Sequence, residues 1–148
     1  MILILLRSFT IVLLVSFLGC AGQQIPHEPD IVDVTVPASA DKVTEAVIQV
    51  LTEAGYEVDE DAEQHLTTGY REEMRGPWNW LLHWRFGTGR SLVDALVTPV
   101  SEQNTRLRLH VSYEGKDGIG STWEESSTPL PQNAENQLRL IKHKLKLL

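Results

Sequence analysis

A single thiol, Cys20, stands at the end of an apolar run in a chain of 148 residues. One cation, Arg7, and no acid precede it, and residues 8–18 (SFTIVLLVSFL) are mostly apolar. That run matches the h-region of an export signal and falls short of the ~20 apolar residues that a bilayer span takes. A nucleophilic sulfur at the cleavage position is what acyl-anchoring chemistry needs. With one cysteine in the chain, neither an internal disulfide nor a Cys-rich zinc site can form. The histidines (His27, His65, His83, His110 and His143) show no metal-ligand spacing. Neither an HExxH nor a Gly-x-Ser-x-Gly motif occurs, and residues 115–120 (GKDGIG) lack the order of a phosphate loop. Glu57, Asp59, Glu60, Asp61 and Glu63 lack the alternating plan of a calcium loop and read as a solvated turn. The expectation is therefore a non-enzyme with no catalytic residue, metal or cofactor.

The other group of residues with a chemistry of its own is the segment 77–86 (PWNWLLHWRF). As a strand it places Trp78, Trp80, Leu82, Trp84 and Phe86 on one face; as a helix it would group Trp80, Leu81 and Trp84 after Pro77. Two uses of the stripe follow from the physics of large aromatic side chains. It can fill the core or cover a sheet edge, as large apolar groups usually do. Alternatively, Trp78, Trp80, Trp84 and Phe86, with Arg85, can meet a partner groove or the membrane interface, where rings bury area while their N–H stays wet. Arg75, Arg85 and Arg90 flank the segment and could face acidic groups or solvent.

These residues need elements to hold them. Residues 31–36 (IVDVTV) alternate with the period of a half-buried strand. Pro37 ends it, and Ser39 can cap a helix whose stripe is Val43, Ala46, Val47, Val50, Leu51 and Ala54, with Gly55 as its stop. Residues 56–58 restart as strand, and the acidic turn at 59–64 leads to residues 66–71 as the other arm of a hairpin. Residues 92–97 and 106–113 pair across a turn at 101–104, with Leu107, Leu109, Val111 and Tyr113 inward and Arg106, Arg108, His110 and Ser112 wet. Residues 114–132, with turn formers and two prolines, read mainly as connection, within which 119–123 could form a short edge strand. The last helix runs from Asn133 on the stripe Ala134, Leu138, Ile141, Leu145 and Leu148. The sum is an α+β two-layer sandwich, an antiparallel sheet with an N-terminal and a C-terminal helix on one face.

Composition limits the partners. Apolar residues make 42% and charged residues 22% of the chain, and the net charge is -7, which disfavours a phosphate-binding surface and so nucleic acid. Loss of residues 1–19 removes Arg7 and no acid, which leaves 12 basic and 20 acidic side chains, a net of -8. Arg139, Lys142, Lys144 and Lys146 concentrate basic charge near the end, as a solvated helix face would.

Phe17-Leu18-Gly19-Cys20 resembles the lipobox of bacterial lipoproteins. The resemblance implies a signal peptide over 1–19, lipidation at Cys20, and, with Ala21 rather than Asp next, sorting to the outer membrane on its periplasmic face. Residues 20–30 then form an extended tether of about 30 Å, and 31–148 a single domain. The phrases VPASADKVTEAVIQVLTEAGYEV and TPVSEQNTRLRLHV look like parts of the helix-grip or TATA-binding-protein-like domains of envelope lipoproteins, such as those in the outer-membrane β-barrel assembly machinery. That likeness implies a membrane-anchored, non-enzymatic binding or scaffold module for another envelope component, most simply a protein. The same phrases are similar to START-type carriers, which would put a hydrophobic ligand in a cavity under the last helix.

Overall fold

The computed structural model describes residues 28–61, 64–73, 88–116, 121–129 and 132–148. The signal and most of the tether, Cys20, the segment with Trp78, Trp80, Trp84, Arg85 and Phe86, and Ile119 lie outside the described residues.

Alternation builds the sheet. In β1 (Asp30–Val36), Val32, Val34 and Val36 turn inward while Ile31, Asp33 and Thr35 face out. The long hairpin of β5 (Thr88–Ser101) and β6 (Asn104–Lys116) forms the centre, extending past the expected strands at both ends. β2 (Val58–Asp61) and β3 (His65–Thr68) complete the order β1-β6-β5-β3-β2, all neighbours antiparallel. Residues 59–61 of the expected acidic turn are thus strand. Asp59 and Glu60 are exposed on an outermost strand, where charge discourages pairing with other chains.

The expected second hairpin arm is likewise not one strand. β3 and the two-residue β4 (Arg71–Glu72) both pair with β5, but five residues from Thr67 to Arg71 oppose four from Asp94 to Ser91. This is a bulge, and it tilts the chain locally. Thr68 Oγ1 accepts from the Val93 N–H at 2.9 Å, so a buried donor at the bulge is satisfied by a side chain. The short edge strand expected at 119–123 is also displaced. β7 (Glu124–Glu125) pairs with Gly115 and Glu114 of β6, beyond the start of β1.

Both helices cover one face of the sheet. α1 (Ala40–Glu53) buries Val43, Ala46, Val47, Val50 and Leu51, the stripe read from its spacing. Gly55 takes φ +87°, and the Tyr56 and Gly55 N–H groups bond back to Leu51 and Thr52, which closes the helix end. α2 (Ala134–Lys144) starts from Asn133, whose side chain accepts from Asn136 N–H, and Asp30 of β1 accepts from Ala134 N–H at 3.0 Å. It stops earlier than expected. Lys146 adopts φ 59° and bonds to His143 while Leu147 bonds to Lys142, a left-handed stop without glycine. Leu148 is therefore outside the helix and exposed rather than on its stripe. Ala134, Leu138 and Ile141 join the α1 stripe, Leu66, Val93, Ala95, Val97, Leu107, Leu109 and Val111 in one core. The fold is the expected α+β two-layer sandwich, and among the described residues no helix or strand covers the other face of the sheet.

Candidate interaction surface on the open sheet face

The face of the sheet away from the helices carries the outward residues of each strand. Registration sets Thr67, Asp94, His110 and Ile31 in one row across β3, β5, β6 and β1. The next row is His65, Leu96, Arg108 and Asp33, followed by Thr98, Arg106 and Thr35. Ile31 and Leu96 are exposed, about 40% in each case, among charged neighbours.

Charges on this face are paired diagonally, as cross-strand geometry allows. Arg106 donates from Nε and Nη2 to the two carboxylate oxygens of Asp33, at 2.8 and 2.7 Å. That hydrogen bonding holds Asp33 below the usual carboxylate range, with the positive charges of Arg106 and Arg108 adding to it and partial desolvation opposing. His65 Nε2 lies 2.8 Å from Asp94 Oδ2. Both members of this His-Asp pair are more than a third exposed, on a flat sheet surface. General acid-base work needs a substrate held within hydrogen-bond reach of such a pair, and an open surface holds little in place.

One end of the face has an arginine between two aromatic rings. The Arg90 guanidinium lies 4.0 Å from the Tyr70 ring centre and 4.3 Å from that of Trp123. Its Nε donates to Glu114 Oε2 at 2.6 Å, and the Tyr70 hydroxyl donates to Glu114 Oε1 at 3.3 Å. Lys116 approaches the Trp123 ring at 5.9 Å. The bulge brings Tyr70 to this position, and the segment before β7 supplies Trp123. Cation-π contact and a charge-assisted hydrogen bond together hold the arginine rigidly. The cluster thus presents a preordered aromatic surface around a charge-paired arginine, residue types enriched at energetically important contact points.

The same end contains the roots of the Trp-rich segment. Glu73 N–H donates to Gly89 C=O at 2.9 Å, so the two described ends on either side of residues 74–87 are held beside each other. On the inner side, the Glu73 carboxylate accepts from the Tyr113 hydroxyl at 3.1 Å and from Gln132 Nε2. Desolvation, with the Glu73 carboxylate as hydrogen-bond partner and negative charge, pushes the Tyr113 phenol up to about 12. Tyr56 and Ser91 share a buried hydrogen bond of 2.8 Å next along the sheet. These contacts tie β4, β5, β6 and the lead into α2 together at the point where residues 74–87 are inserted.

Of the residues singled out in the sequence, Arg90 is placed in this cluster and His110 on the open face, as its alternation required. Trp78, Trp80, Trp84, Arg85, Phe86 and Cys20 lie outside the described residues. Tyr70, Glu114 and Trp123 were missed. Glu114 and Arg90 are directly opposed in the β5-β6 register, which was legible once the hairpin was placed. Tyr70 and Trp123 carried no such signal, because a bulge and an irregular segment position them. Among the described residues, no three His, Cys, Asp or Glu side chains gather as a metal site would need. No helix of the described residues is long and apolar enough to cross a membrane.

No family model matches the chain, and no curated protein matches it. Among solved structures, the adenylate sensor of AMP-activated protein kinase, in complex with a ribonucleotide analogue, superposes with a TM-score of 0.40 at 12% identity. That match covers 78% of this chain and 95% of the other. A TBP-like protein from Parabacteroides distasonis superposes with a TM-score of 0.36 at 6% identity, covering 82% of this chain and 88% of the other. Neither superposition is close enough to carry a functional inference.

Proposed function

We propose that this chain is a lipoprotein anchored through Cys20 on the periplasmic face of the outer membrane, where its domain serves as a non-enzymatic docking module for another envelope protein. The observation that carries the docking role is the open sheet face ending in the Tyr70-Arg90-Trp123-Glu114 cluster. An uncovered sheet with exposed apolar residues among paired charges offers area and orientation to a partner, and offers little shelter for chemistry. Trp78, Trp80, Trp84, Arg85 and Phe86 are assigned to the same partner contact on the chemistry of their side chains. The resemblance of the signal to a lipobox supports the anchor, and the likeness of residues 31–113 to lipoprotein domains of the β-barrel assembly machinery agrees with an envelope setting. Packing beneath α2 favours docking over the hydrophobic-ligand carrier, because Ala134, Leu138 and Ile141 occupy that space as part of the core.

Photo-crosslinking in cells tests this reading. A crosslinker at Leu96 or Tyr70 of the full-length protein is expected to trap a defined protein, and one at Glu45 on the helical side is not. Arg90→Ala, and Trp78, Trp80 and Trp84 together changed to Ser, should each reduce that adduct while the domain stays folded. Equal trapping from both faces would sink the docking reading, and loss of folding in the Trp variant would assign those residues to the core. Cys20→Ser should abolish palmitate labelling and release the protein from envelopes.

A further inference from the structure

We infer that the β1 edge is a self-complementary surface through which two copies of this chain pair around a two-fold axis. β1 ends the sheet, and no described strand pairs with its outer side. Its seven residues therefore offer a row of backbone donors and acceptors that a strand could take up. Next to this edge, on the helical side, lies a groove of about 370 Å³. Val32 and Val34 form its floor, and Leu138 and Leu148 its apolar wall.

The helical rim of the groove indicates which strand fits. Glu135, Leu138, Arg139 and Lys142 are spaced by three, one and three residues, so they share one flank of α2. The acidic member is at the start of the flank and the basic ones are later. Antiparallel edge pairing of two identical strands within one continuous sheet puts the dyad perpendicular to the sheet. The two α2 helices then lie on the same face and run in opposite directions, so Glu135 of each copy faces Lys142 of the other, with Leu138 near the axis and each Arg139 guanidinium bonded back to Asn136 of its own helix. The charge order thus complements itself under the only rotation that continues the sheet, and the apolar groove residues would be covered at the same time. A second copy answers the free edge, the groove and the charge order together. The open sheet face remains available, so this inference goes beyond the docking role and does not depend on it.

Sedimentation equilibrium of the full-length protein in density-matched detergent tests the pairing. The expected result is a reversible dimer whose dissociation is promoted by salt. Glu135→Lys and Lys142→Glu each place like charges opposite one another twice per dimer, so each should weaken dimerisation roughly ten- to thirtyfold. The double variant Glu135→Lys/Lys142→Glu should restore it. Both positions are on the helix surface, and circular dichroism of each variant verifies that the fold is kept. A protein that stays monomeric at about 0.1 mM, a dimer indifferent to either single reversal, or a double variant that fails to recover would each overturn the inference.

Discussion

Gly89 sits beneath the ring of Tyr113, and a Cβ there would come 1.9 Å from the phenol oxygen and 2.5 Å from the carbon bearing it. The ring cannot easily retreat, since its hydroxyl is bonded to Glu73, which is also bonded to Gln132. Gly89→Ala should therefore destabilise the domain by about 1–3 kcal/mol through overpacking, measured by urea unfolding. The same site makes a prediction about pH. The folded phenol titrates near 12 rather than at its ordinary value of 10.0, so the unfolded chain loses this proton first. The associated stability is complete below pH 10 and is lost as pH rises toward 12. Ultraviolet titration should show one tyrosine ionising late, and in Glu73→Gln that tyrosine should ionise closer to its ordinary value. No change on removing Glu73 would leave burial as the sole cause.

Helix ends separate capping by residue type from capping by contact. Ser39 precedes α1 with extended dihedrals, yet its side chain makes no capping hydrogen bond, whereas Asn133 accepts from Asn136 N–H at 3.1 Å. Asn133→Ala should thus cost about 1 kcal/mol and Ser39→Ala less than about 0.5 kcal/mol, although serine is a preferred N-cap type. At the other end of α2, Lys146 occupies a left-handed conformation at φ 59° that costs a side chain about 1 kcal/mol and a glycine little. Lys146→Gly should raise stability by about 0.5–1 kcal/mol. Thermal melts of the three variants check these signs, and a destabilised Lys146→Gly would mean that the lysine side chain contributes more than its backbone costs. At Gly55 the sequence already carries the favoured residue, so the stop of α1 was readable while that of α2 was not.

Over the whole molecule, one core joins both helices to the sheet. Ile141 of α2 and Leu109 of the central strand β6 are each fully buried in it. Leu109→Ala and Ile141→Ala should each cost about 2–5 kcal/mol and lower the midpoint of a single transition. Separate helix and sheet transitions after Ile141→Ala would show that α2 is a loosely docked arm rather than part of the core. The Arg106-Asp33 ion pair on the open face is well solvated and should leave stability nearly insensitive to salt.

Periodicity alone determined β1, α1, the β5-β6 hairpin, the start of α2 and their inward stripes apart from Leu148, because an apolar face must be buried at the spacing its own backbone imposes. The lone cysteine and the apolar leader carried the whole expectation of an anchor, since that chemistry is local in the chain. Tertiary structure decided the rest. Whether residues 59–61 are turn or strand depended on β3 being available as a pairing partner. The break between β3 and β4 depended on a one-residue mismatch against β5. The surface argued to dock a partner joins Tyr70, Arg90, Glu114 and Trp123 from four separate stretches, and no local pattern encodes a contact made only when distant segments meet.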